Sequence, residues 1–349
     1  MDRDLVISAL HYRRCALFEL LDDSQIFAVT LPDGCIGYCC CMGNGGEHYS
    51  LALYRDTAGF ATHLDTIDMD YDASLLDRFE QQMTFHAVNC DFENAADCVA
   101  GKEKRAFIKQ VAAEEGIKMC RSKGWPDFNV MDGSTLYKGI PDENLRRDMT
   151  LALDAGCEVA RKVRDLDMDQ LDALGFVPDY APACGGKTIP LLSRQQDGSW
   201  TWNSMVTPAR PDNKCVDYTY GNSALASRVA AMEHAGTFEC RVLHSPMPVV
   251  KGDLMYYPLT VLTVFKSAGI TPFMPEFVRE EDGCMEAVLD NFANGIINLG
   301  RCPAVIEVED EMTYHMLRDF CDKTGIKLRR ADCIPHLEKL WNFLRSMMR

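Results

Sequence analysis

A glycine-rich stretch, Gly43-Asn44-Gly45-Gly46, runs directly into Glu47-His48-Tyr49, a carboxylate beside an imidazole. That pair of side chains can do general acid–base work. Adjacent residues of a strand face opposite sides, so Glu47 and His48 converge only if the turn is irregular. Otherwise the glycines answer the backbone demands of a tight turn, and Glu47 bonds nearby amides. Trp125 stands between Gly124 and Pro126 in a segment that reads as a loop, which makes it the best placed aromatic for lining a pocket. Glu47, His48 and Trp125 together form the candidate binding surface. Trp200 and Trp202, two residues apart in a strand, share a face and read as core.

The run Cys39-Cys40-Cys41 looks like thiol or metal chemistry. In a strand Cys39 and Cys41 share one face and Cys40 takes the other. Zinc needs four converging ligands, usually two closely spaced pairs, and only Cys35 to Cys39 offers the first spacing. The three read as small apolar residues, and no metal or cofactor is expected. The segment Cys184-Gly185-Gly186-Lys187-Thr188 approaches a phosphate-binding loop, but Ala181 stands where that motif requires glycine, and Pro190 with a hairpin follows in place of a helix. It is rejected.

A second acidic candidate is Glu307, Glu309 and Asp310, at and just beyond the end of an expected strand. The order of elements from Tyr257 onward resembles a ribonuclease-H or integrase core. Such enzymes clamp two metal ions between carboxylates, one on the first strand and one near the end of a later one. Glu309 and Asp310 stand near the later place. The first place falls within Val261 to Phe265, which holds no acid, so the resemblance implies a degenerate relative.

The chain has 349 residues, 52 acidic against 36 basic, for a formal net charge of −16. A surface so negative repels phosphate backbones, which disfavours nucleic acid as a general partner. Between Asp65 and Glu93 eight acids face one base, Arg78, a pattern that solvates a face. Sixteen cysteines in a chain of this length, with no apolar leader after Met1-Asp2-Arg3-Asp4, fit a reducing cytoplasm. No apolar run reaches the roughly 18–20 residues that cross a bilayer.

The elements that must position these residues read as α+β. A helix is expected from Leu5 to Leu21, then an antiparallel meander over Ile26–Thr30, Ile36–Met42 and His48–Tyr54, with Asp56–Gly59 turning into a strand from Phe60. Helices follow at Ala73–Gln82 and Glu103–Glu115, around a strand from Thr84 to Phe92. The clearest helix carries Leu145, Met149, Ala152, Gly156, Val159 and Val163 at alternating spacings of three and four, a narrow seam for another helix. Periodicity fails from Asp165 to Lys187, where glycine and proline cluster, and a domain boundary is expected there. The domains are then 1–175, a meander with helices, and 186–349, a mixed sheet with flanking helices. The second opens with a hairpin, Thr188–Ser193 and Trp200–Val206. It continues through a helix at Ser223–His234 and strands at Phe238–Leu243, Tyr257–Phe265 and Ile270–Phe277, then alternates helix and strand to a last helix near Pro335.

Two segments carry a family resemblance. Met42 through Tyr54, then Cys90-Asp91-Phe92-Glu93 and Trp125-Pro126-Asp127-Phe128, are similar to the N-terminal member of a tandem of uncharacterised bacterial domains. Pro303 through Glu311, with Leu317 and Gly325-Ile326-Lys327-Leu328, are similar to its C-terminal member. The families are domains of unknown function, numbered seven-three-zero-nine and six-nine-three-zero. The resemblance implies a fold and assigns no activity. No complete catalytic set is legible, so the expected role is a non-enzymatic binding or regulatory protein of the cytoplasm; the sequence does not identify its partner, for which a protein is one candidate and a membrane is not. The alternative is a nuclease-like hydrolase using Glu307, Glu309 or Asp310, and the third reading is a thiol or zinc protein built on Cys39 and Cys41.

Overall fold

The computed structural model describes residues 2–46, 48–68, 73–95, 101–178, 185–210, 217–267 and 285–346. It is α+β, with two mixed sheets and helices against them, as expected. The chain divides into two compact units. One comprises Met1–Ala73, Thr84–Pro211 and Gly252–Leu254; the other comprises Ser74–Met83, Asp212–Lys251 and Met255–Arg349. The expected strand at Ile270–Phe277 lies outside the described residues.

In the first unit, α1 (Arg3–Cys15) is capped by the Asp2 carboxylate, which accepts from the amides of Asp4 and Leu5. It stops at Ala16, in a left-handed conformation, before a short 3-10 turn. The expected helix is therefore shorter than Leu5–Leu21. Next come β1 (Phe27–Thr30), β2 (Ile36–Met42), β3 (Tyr49–Arg55) and α2 (Asp56–Ile67). The strand expected from Phe60 is thus a helix. Phe60 and Leu64 recur at helical spacing and bury against Tyr38 and Tyr54.

After α3 (Leu75–Gln82), which belongs to the other unit, follow β4 (His86–Glu93), α4 (Lys102–Glu114), β5 (Trp125–Asp132), β6 (Thr135–Lys138), α5 (Glu143–Val163), α6 (Met168–Ala173), β7 (Thr188–Arg194) and β8 (Trp200–Val206). These strands run in the order β6-β5-β4-β3-β2-β1-β7-β8, antiparallel except for β1 against β7. The β7–β8 hairpin was expected to open the second domain. It instead extends the first sheet, because Ile189 and Leu192 bury on its two faces.

Strand alternation sorts the side chains. Cys39, Cys41, Leu51, Leu53, Val88, Cys90, Phe92, Phe128 and Val130 fill the core shared with α1 and α5. The seam read along α5 meets α1 where Gly156 lies under the Tyr12 ring; a Cβ there would come within 2.6 Å of Cε2. Cys40 faces the opposite core, under α2. Burial raises all three neighbouring thiols, Cys41 to about 12 even with the Tyr12 hydroxyl donating to its Sγ at 2.9 Å.

The second unit holds α7 (Ser223–Ala230), β9 (Thr237–His244), the short strands β10 (Val249–Lys251) and β11 (Leu254–Tyr256, its first residue grouped with the other unit), β12 (Leu259–Phe265), α8 (Met285–Leu299), β13 (Val305–Val308), α9 (Glu311–Thr324), β14 (Lys327–Arg330) and α10 (Pro335–Ser346). Its sheet has the order β12-β9-β13-β14, with β12 antiparallel to β9 and the other pairs parallel. Phe238, Cys240, Val242, Ile306 and Val308 pack against α7, α8 and α9. Leu243, Leu262 and Val264 face the other way, toward Leu337 and Trp341 of α10 and Leu76 of α3.

Candidate functional site

Beyond Ala87, which joins the core under α2, the register of the meander lays polar residues across one face of β4 and β5. Ser50 pairs with Asp91, and Asp91 with Asp127; one step along, Ala52 pairs with Asn89, Asn89 with Asn129, and Asn129 with Lys138. Residues two apart share a face, so Asn89, Asp91, Asp127, Asn129 and Lys138 form the floor of a cavity of about 1080 Å³, while Ser50 and Ala52 are buried behind it. Its walls include Phe85, Met131 and Leu136, and Lys102 and Lys104 line it from the first turn of α4.

The floor is a connected hydrogen-bond chain. Asn89 Nδ2 donates to Asn129 Oδ1 at 2.9 Å, and Asn129 Nδ2 donates to Asp91 Oδ2 at 2.6 Å. Asp91 Oδ1 lies 3.1 Å from His48 Nε2. The bond to Asp91 raises the His48 pKa above its ordinary value, against the opposing effect of desolvation. Asp127 is the other carboxylate. Its Oδ1 accepts from the amide of Phe128 at 3.2 Å, and no other described residue donates to it. Desolvation, then the charge of Asp91, raises its pKa. Beside Asp91, Ser50 Oγ is buried with no partner among the described residues.

His48 thus stands at this cavity, while Glu47 lies outside the described residues. Trp125 does not line it. It is the first residue of β5, paired with Glu93, and packs half-buried against the cluster of Val6, Leu10 and Ile108, with Lys109 Nζ 5.6 Å from its ring centroid. The segment read as a loop is a strand because β6 pairs only with Asn129–Asp132, leaving Pro126 an unpaired side where no amide is needed. Asp91 and Asp127 fall in the motifs that carry the family resemblance, with no role assigned there, and Asn89 and Asn129 fall in neither motif. The polar alternation at 89 and 91 and at 127 and 129 was the available signal.

The acids of the second unit have different surroundings. The first strand of the four-stranded sheet's hairpin is β9, not the Val261–Phe265 strand, and it carries an acid. Glu239 pairs in register with Glu307 on β13. Both are buried, at 0% and 2% exposure. Glu239 accepts from the amides of His336 and Leu337, at 2.9 and 3.1 Å, and meets His336 Nδ1 at 2.8 Å, so it holds the start of α10. Glu307 is bonded by Lys266 Nζ at 2.6 Å and by Arg329. Asp310 caps α9, accepting from Thr313 N at 2.7 Å, with Arg241 Nε 3.6 Å from its other oxygen. Desolvation raises the pKa of Glu309. Glu239, Glu307 and Asp310 are thus committed to helix starts and basic side chains. Among the described residues no three His, Cys, Asp or Glu side chains are grouped to hold a metal ion, and no helix is long and apolar enough to cross a membrane.

Residues 3–174 match the family described as Domain of unknown function (DUF7309), and residues 227–345 match Domain of unknown function (DUF6930). No curated protein and no solved structure matches the chain. The meander with its polar floor lies in the first match, and the Glu239–Glu307 sheet lies in the second. The chain is a tandem of a DUF7309 domain followed by a DUF6930 domain.

Proposed function

We propose that the DUF7309 unit is a binding module for a small polyhydroxylated molecule, held over the β4–β5 floor without bond-breaking chemistry. The observation that carries this reading is the Asn89–Asn129–Asp91–His48 chain with Asp127 beside it, on the floor of a cavity of about 1080 Å³. That space is as large as ordinary ligand pockets, which run to about 1,000 Å³. Side chains on neighbouring strands are about 4.8 Å apart, a spacing at which amides and carboxylates can take successive hydroxyls. A hydroxyl both donates and accepts, so it suits a floor offering amide and carboxylate groups together. Phe85, Met131 and Leu136 supply apolar surface for the carbon skeleton, and Lys102, Lys104 and Lys138 supply charge for an anionic substituent.

The test is ligand-observed NMR and thermal shift against sugars, polyols and nucleosides, each with and without a phosphate. The expected result is binding by the wild-type protein, weakened about 10- to 100-fold in Asp127→Ala and Asn129→Ala, as loss of a hydrogen bond involving a charged group costs about 1.5–3 kcal/mol. A wild type that binds nothing in the panel, or binding indifferent to both substitutions, sinks the proposal.

A further inference from the structure

The second unit contains a helix from the middle of the first family segment. Residues 74–83 leave and re-enter a chain that belongs to the DUF7309 unit on both sides, yet α3 packs on the β9–β12–α10 face. Its seating uses few groups, each distinct. Leu76 is 2% exposed among Leu243, Leu262, Ile334, Leu337 and Trp341. Phe79, one turn on, meets Tyr257 edge-to-face at 5.4 Å and Trp341 at 5.7 Å. Beside each apolar anchor stands an acid. Asp77 accepts from Arg241 Nη2 at 2.7 Å, and Glu80 accepts from His244 N at 2.8 Å and meets His244 Nδ1 at 2.9 Å.

We propose that this face is a docking groove for an acidic amphipathic helix, with α3 as its resident occupant and a partner helix of the same pattern as its competitor. The pattern is a leucine and a phenylalanine three apart, each followed by a carboxylate. Three observations favour an exchangeable occupant. The eight residues of α3 are fewer than the roughly 12–15 that hold a helix in isolation, so the groove and not the segment supplies the order. The recognition is polar and charge-complementary: the Arg241 guanidinium meets Asp77, and the amide and Nδ1 of His244 meet Glu80, in a chain of net charge −16. The anchors repeat the i, i+3 spacing by which grooves take helices.

The experiment uses the full chain and a fluorescent peptide of residues 73–84. In Leu76→Asp, where α3 loses its anchor and the groove lining is unchanged, the peptide is expected to bind at least tenfold tighter than to wild type. Adding Arg241→Ala is expected to abolish that gain, and a peptide carrying Asp77→Lys and Glu80→Lys is expected not to bind. A folded, cooperatively melting Leu76→Asp protein that takes no peptide overturns the proposal. If that variant does not fold, hydrogen exchange on wild type decides: excess peptide should speed exchange of the α3 amides, and the double-lysine peptide should not. Unchanged α3 protection at millimolar peptide overturns it equally.

Discussion

Asp91 and Asp127 sit side by side on one sheet face, and their partners differ. Asp91 is tied to His48 and Asn129, whereas Asp127 has only a backbone amide among the described residues. The consequence is measurable at His48, whose pKa is raised first by its bond to Asp91. Because the folded value lies above the unfolded value of about 6.5, the pair's contribution to stability is fully present below that pH and fades as pH rises through the folded value. The imidazole is more than half exposed, so the effect on stability is small. NMR titration should place the His48 midpoint above 6.5, and Asp91→Asn should bring it down; an unchanged midpoint in the variant would remove Asp91 as the cause. Reading Glu47-His48 as a sequence-adjacent pair missed this arrangement, because the partner of His48 is 43 residues away across a strand.

At the scale of elements, α3 shows how far local pattern reaches. The helix itself was legible from its periodicity, and its acids read as a solvated face. Both acids, Asp77 and Glu80, instead bind Arg241 and His244. Burial pushes the Asp77 pKa up, but hydrogen bonds from Ser74 and Arg241 outweigh it and leave the carboxyl below its ordinary range. The dominant attachment is still Leu76. Leu76→Ala removes a side chain 2% exposed and is expected to cost about 2–5 kcal/mol, measured by urea denaturation of the full chain. A cost below about 1 kcal/mol would mean that α3 barely contributes to its unit. The β5 and α2 segments were misread for related reasons. Gly124 and Pro126 look like loop signals until the partner strand's length is known, and Asp56–Gly59 looks like a turn until Phe60 and Leu64 find their core.

For the whole molecule, the family segments and the compact units do not coincide. The DUF7309 match ends at residue 174, yet β7, which begins at Thr188, pairs with β1 and buries Leu192 in the same core. Residues 74–83 go the other way, inside the DUF7309 match but part of the second unit. A fragment of residues 1–174 would therefore expose the β1 edge and leave Leu76 and Phe79 without their cluster. It is expected to aggregate or melt without cooperativity, and the full chain to melt cooperatively, with circular dichroism and light scattering as readouts. A soluble fragment with a sharp transition would show that the family boundary is also a folding boundary.

The amino-acid sequence alone determined the α+β class, the helical seam through Gly156, the two-faced burial of Cys39, Cys40 and Cys41, and the family tandem. All of these follow from local periodicity or contiguous motif, which a chain carries wherever it goes. Tertiary structure decided which polar groups meet. Strand register put Asp91 opposite Asp127 and Glu239 beside Glu307, and long-range packing sent β7–β8 to the first sheet and α3 to the second unit. Register and packing depend on pairs of segments far apart in the chain, and the free energy that selects them belongs to both partners at once.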